Sequence, residues 1–323
     1  MLPARVPTIQ VMLSQISYLS PDGNGIIIGA PGTDHHPVAG LEPGMPGGKG
    51  IYCMSRTITQ GQTGRTIRLV TMPVEHGGWA FMLEPILAGC ILALSGAGLW
   101  LSIATLATFM VRQPLKMALI DRRNGKRFPR TLWAERFAAL FALIAVAALV
   151  LALLAARAPF WLPILLAAPF ALLQAYFDLQ RQSRQVAAEL AGAVAIGAGG
   201  AAITLAGGWA IAPALALWTI LAARAVTSIL YVRARLRLER EGAFDKAPVV
   251  VSHVAALAIV AGLAVAGWAP WLALAAIIIL TARAAWGLSP WRRSVRAQVV
   301  GTQELGAGLL TVALTAIGYI FSL

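Results

Sequence analysis

Of the chain's 323 residues, 59% are hydrophobic and 12% are charged, and the mean hydropathy is +0.75. Soluble globular domains carry about 25% charged residues, so a water-soluble core is excluded. A formal net charge of +13 in so apolar a chain reads as Lys and Arg gathered on cytoplasmic loops, not as a nucleic-acid surface.

Residues 1–71 differ from the rest. The stretches PDGNG, GAPGTDHHPVAG and EPGMPGGKG are turn-forming and lack apolar periodicity. They predict either a disordered tail or a mis-assigned extension upstream of a start at Met72. The segment has none of the charged, apolar and cleavage regions of a signal peptide.

A helical span needs about 20 apolar residues, fewer where the bilayer is thin. The candidates, in order, are residues 79–96, 98–113, 133–156, 160–177, 186–206, 210–231, 248–267, 271–288 and 301–322. The fold class expected over residues 72–323 is therefore an all-α polytopic transmembrane helical bundle of about nine spans. Pro85 and the GAGG at residues 197–200 mark places where a helix could unwind.

Basic residues cluster on alternate connections. Arg112, Lys116, Arg122, Arg123, Lys126, Arg127, Arg130 and Arg136 lie between spans two and three, and Arg181 and Arg184 between four and five. Arg233, Arg235, Arg237, Arg240 and Lys246 lie between six and seven, and Arg283, Arg292, Arg293 and Arg296 flank the last such connection. The other loops carry Trp161, Trp209 and Trp268 as interfacial residues. The expected topology places the N-terminus in the cytoplasm and the C-terminus outside.

Ionisable residues within spans cost about 2.5–3.5 kcal/mol each at a helix centre, so they mark function more often than other positions do. Glu84, Glu189, Arg224 and Glu304 all fall about 8–13 Å from the cytoplasmic ends of their helices, at about 1.5 Å per residue. A shared depth predicts a cavity open to the cytoplasm. Arg224, Ser228, Tyr231 and Arg235 follow one another at +4, +7 and +11, along one helical face. Asp178, Arg181 and Arg184 are close in sequence. The competing reading of the buried charges is interhelical ion pairing, Arg224 with Glu189 or Glu304. The connection RQPLKMALIDRRNGKRFPR, with Asp121 inside it, is expected either to cap the cavity or to lie on anionic headgroups.

The chain has no Walker motif, HExxH, CxxC, GxSxG or dinucleotide fingerprint. Cys53 and Cys90 are too far apart to predict a disulfide or a metal site. His35, His36, His76 and His253 make no metal or haem pair. No cofactor, metal or nucleic-acid partner is expected.

The run Pro73-Val74-Glu75-His76-Gly77-Gly78-Trp79-Ala80-Phe81 with Glu84-Pro85 is followed by Arg112, Pro114 and Asp121-Arg122-Arg123, then by Asp178, Arg184 and Glu189. Together these residues resemble the YwiC-like bacterial membrane protein family, over about residues 72–323. The resemblance implies a bacterial inner-membrane location and carries no established activity. In helix number, topology and the polar connections after spans two and six, the chain is also similar to UbiA-type intramembrane prenyltransferases, which hold an isoprenyl diphosphate through two Asp-rich motifs and Mg²⁺. The matching stations here, RQPLKMALIDRR and RAVTSILYVRARLRLE, hold one Asp and none. Mg²⁺ prefers carboxylate oxygens, so this departure speaks against metal-dependent transfer. Arg and Lys would contact an anionic head directly.

The expected ligand-binding set is His76, Glu84, Arg112, Lys116, Asp121, Asp178, Arg181, Arg184, Glu189, Arg224, Ser228, Tyr231, Arg235 and Glu304. Its expected occupant is an anionic membrane lipid, isoprenoid or quinone-related. The alternatives are a secondary transporter coupled through the glutamates and a non-enzymatic partner of a membrane complex.

Overall fold

The computed structural model describes residues 78–125, 127–240, 242–243 and 245–323, together with residues 18–19, 26–27, 67 and 70–71. The expectation for residues 1–71 lies almost wholly outside them. The chain divides into a unit of residues 1–54 and a unit of residues 55–323. In the first, β1 (Tyr18–Leu19) pairs antiparallel with β2 (Ile26–Ile27), Tyr18 opposite Ile27.

The second unit is helical: α1 (Gly78–Leu92), α2 (Gly96–Arg123), α3 (Pro129–Ala155), α4 (Trp161–Leu179), α5 (Val186–Ala206), α6 (Ile211–Glu239), α7 (Ala247–Val265), α8 (Trp271–Gly287) and α9 (Ala297–Phe321). These nine helices follow the nine expected segments. Seven are long and apolar enough to cross a membrane, while α1 and α8, with 15 and 17 residues, are shorter apolar helices. The chain is a multi-pass membrane protein.

Two helices outrun their apolar segments. α2 continues ten residues beyond the expected boundary at 113, and α6 continues eight beyond 231. Water does not end a helix whose backbone bonds are internal and whose residues are good helix formers. What was expected to be a long connection after span two is therefore mostly helix. Only a short turn remains, in which Gly125 takes φ +65° and Asn124 donates its amide to the Ile120 carbonyl. Pro129 then opens α3, where its missing N–H costs nothing. At the other end of α2, the Ser95 side chain caps the helix by accepting from the Gly98 amide.

α5 is the post around which neighbours gather. Its glycines each face a group that a methyl would crowd: Gly192 faces Gln174 of α4, Gly199 faces Thr105 of α2, and Gly200 faces the Pro85 carbonyl of α1. Small residues let helix backbones approach where lipid supplies no hydrophobic drive. α1 and α5 accordingly run unbroken through Pro85 and the GAGG, and these positions serve packing instead of unwinding.

Around this post, α6 packs on α5 and α7, α8 lies between α7 and α9, and α9 returns to α1. α5 and α6 are the most buried spans, whereas α3 and α4 are the least buried. Leu143, Leu154, Leu165 and Leu172 stand exposed on these outer two, as lipid-facing side chains do.

Before α1, Val70 is fully buried, packed with Ala118 of α2 and Ala134 of α3.

Candidate functional site

Arg224 is the largest fully buried side chain of the described residues. Burying a guanidinium in a bundle is tolerable only when acids and carbonyls surround it. Two other helices supply them. Its Nη2 donates to Glu84 Oε1 of α1 at 3.0 Å and to the Glu304 backbone carbonyl of α9 at 2.9 Å. Its Nη1 lies 3.5 Å from Glu304 Oε2. The guanidinium carbon sits 5.5 Å from the Phe81 ring centroid, over the negative face of the π system.

Glu304 is the hub. The Ser228 hydroxyl, one turn along α6 from Arg224, donates to its Oε2. Arg283 of α8 brings Nη1 to 2.5 Å from Oε1, with its guanidinium 4.6 Å over the Tyr231 ring. Two arginines and two glutamates thus form a charge-balanced cluster from α1, α6, α8 and α9. His253 of α7 is buried nearby, within the electrostatic reach of Arg283 and Glu304, and its Nδ1 is 2.8 Å from the Val249 carbonyl.

The cluster is not saturated. Nε of Arg224 and Nε of Arg283 are buried without a hydrogen bond, while Nη1 of each is held only by its ion pair with Glu304. Each such group costs about 1–3 kcal/mol, more when charged.

Farther along the same face of α6, Arg235 pairs with Glu239 at 2.7 Å and donates to the carbonyls of Gly287 and Arg293 at 2.5 and 2.6 Å. It closes the open end of α8, whose last carbonyls lack helical donors. Tyr231 fills the space where Gly287 has no side chain. Glu189 meets Arg233, at 2.7 Å, and Arg233 also donates to the Arg184 carbonyl. Of the two partners that the ion-pair reading offered Arg224, the structure has Glu304 and not Glu189. Arg233 lies nine residues farther along α6, about 13 Å, so equal depth counted from the sequence did not bring Glu189 to the centre.

A separate set ties α2, α3 and the end of α4. Arg112 donates through Nε and Nη2 to Asp178 at 2.7 and 3.1 Å. Lys116 lies 3.8 Å from Asp178 and donates to the Ser183 hydroxyl. Asp121 accepts two bonds from Arg130 and one from Thr131, and Arg122 pairs with Glu135. Arg181 is exposed, with φ +60°.

The expected residues therefore fall into groups. Glu84, Arg224, Ser228 and Glu304 come together, with Tyr231 joined through Arg283. Arg235, Glu189 and Arg184 (each met by Arg233), Arg112 with Lys116 and Asp178, and Asp121 occupy other places; His76 is outside the described residues. Sequence reasoning missed Arg283, assigned to the loop bases although it falls inside the segment 271–288. A base inside an apolar segment was the available signal. Gly308 was missed too, and nothing in the sequence shows that its lack of a side chain makes room for Glu84 and Arg224. Among the described residues, no group of three or more His, Cys, Asp or Glu side chains is placed to hold a metal ion.

Residues 72–204 match the family model described as YwiC-like protein, so the family resemblance is shown for that stretch, ending within α5. No curated protein and no solved structure matches the chain.

Proposed function

We propose that this multi-pass membrane protein, whose residues 72–204 match the YwiC-like family model, binds the anionic head of an amphiphile, isoprenoid or quinone-related, at Arg224 and Arg283. The site would face the cytoplasm of a bacterial inner-membrane protein with its N-terminus inside and its C-terminus outside. The observation that carries this reading is that Nε of Arg224 and Nε of Arg283 are buried with no hydrogen-bond acceptor. An anion's oxygens supply what those donors lack, and guanidinium geometry suits bidentate contact with phosphate or carboxylate. A UbiA-like arrangement of the helices is part of the proposal: α2 and α6, the helices after which that family carries its Asp-rich motifs, both extend past their apolar segments here. In place of Asp-rich metal motifs, arginines would hold the head.

The charge balance of the cluster favours a second reading, in which the four side chains only fix the packing of α1, α6, α8 and α9. Mass spectrometry of lipids retained by the purified protein separates the two. The ligand reading expects an anionic prenyl or quinone-type lipid on the wild type. It expects loss of that lipid from the folded, charge-balanced variant Arg224→Gln/Glu84→Gln. A wild type that carries no such lipid, or a double variant that keeps it, overturns the ligand reading.

A further inference from the structure

The inner ends of α2 and α4 leave a cleft of about 190 Å³, lined by Ile120, Arg123 and Asn124 on one side and Leu179, Gln180 and Arg181 on the other. It belongs to neither helix pair of the central cluster. Several of the bases around its two arginines are already paired. Arg112 and Lys116 are spent on Asp178, Arg130 on Asp121 and Arg122 on Glu135. Among the described residues, neither the Arg123 nor the Arg181 guanidinium has a hydrogen bond or an ion pair at contact distance; the Arg181 backbone amide donates to the Asp178 carbonyl. Arg181 acts on Asp121 only through space, and that carboxylate already holds both ends of Arg130.

The backbone sets this up. Arg181 takes φ +60°, a left-handed conformation uncommon for a residue with a side chain, at the point where α4 turns back towards α5. Both helices end here with carbonyls, which repel anions and favour bases. Any anion in the cleft is therefore held by side chains: two guanidinium groups and the amides of Asn124 and Gln180. The surroundings are apolar. Leu119, beside Ile120, and Tyr176, one turn before Leu179, are exposed on helices whose flanks face lipid.

We infer that this cleft is a binding site for the phosphodiester head of an anionic phospholipid of the inner leaflet, held by Arg123 and Arg181 with its chains lying along the exposed faces of α2 and α4. Basic pockets between helices on the cytoplasmic side are where such heads bind, each base near the surface contributing about fivefold in affinity.

The test titrates phosphatidylglycerol into the full-length protein in phosphatidylcholine-containing micelles and counts retained lipid by native mass spectrometry. Arg123→Gln/Arg181→Gln removes the two bases; Arg237→Gln/Arg240→Gln makes the same change of charge at the exposed end of α6. The expected result is roughly thirtyfold weaker retention in the first variant and wild-type retention in the second. Equal loss in both variants would reduce the effect to diffuse surface charge, and no loss in either would remove the site. Displacement of phosphatidylglycerol by millimolar inorganic phosphate would identify a free-anion site and overturn the lipid assignment.

Discussion

Gly308 of α9 faces the Glu84 carboxylate of α1 so closely that a methyl group on Gly308 would overlap it and come within 2.8 Å of Arg224 Nη2. Gly308→Ala should therefore destabilise the protein by roughly 1–3 kcal/mol, the usual cost of overpacking. Gly306, two residues earlier, has nothing within 4 Å of such a methyl. Gly306→Ala should be neutral or stabilising by up to about 1 kcal/mol, since Ala favours the helix over Gly. Thermal unfolding in detergent checks the pair, and equal midpoints would show that the cluster yields without cost.

Removing Arg224 alone leaves Glu84 and Glu304 facing a single base, Arg283. Breaking a buried pair in this way typically costs about 3–5 kcal/mol. Glu84→Gln added to Arg224→Gln restores the balance of charge, since only Arg283 and Glu304 remain, and should recover part of the loss. Denaturant unfolding of the wild type, both single variants and the double variant measures the coupling. A double variant whose loss equals the sum of the singles would show that the two residues do not interact.

Orientation follows from the bases between α6 and α7. A reporter fused after Lys246 should read cytoplasmic and one fused after Leu323 periplasmic. Two fusions on the same side would leave an even number of crossings between those points and remove the proposed topology.

Val70 fills a gap against Ala118 and Ala134, and a buried Val contributes roughly 1.5–3 kcal/mol. A chain beginning at residue 72 should thus melt below one beginning at residue 67. Val70→Asp in the full chain should lower the midpoint further, because it sets a carboxylate among apolar side chains. Identical melting of the two truncated chains would show that the contact contributes nothing.

The sequence determined the class of this protein, because hydropathy is a local property summed along the chain. The nine helices of the described residues appear where apolar segments recur. It also located Arg224, since a base in an apolar helix is conspicuous without any knowledge of its neighbours. The stripe through Ser228, Tyr231 and Arg235 was equally legible, because helical periodicity fixes which residues share a face.

Partnership was not legible in that way. Depth along a helix can be counted from sequence, but the direction a side chain faces around the bundle depends on which helices touch. Glu189 therefore met Arg233 instead of Arg224, and Arg283 entered the centre from a helix whose bases had looked like loop charge. The ends of α2 and α6 were misjudged because hydropathy reports where lipid begins and ends, while a helix continues wherever its backbone bonds close. Only the tertiary structure decided that the GAGG of α5 is a packing face and that Gly308 makes room for an ion pair. Both depend on distances between segments far apart in the chain, which no local pattern encodes.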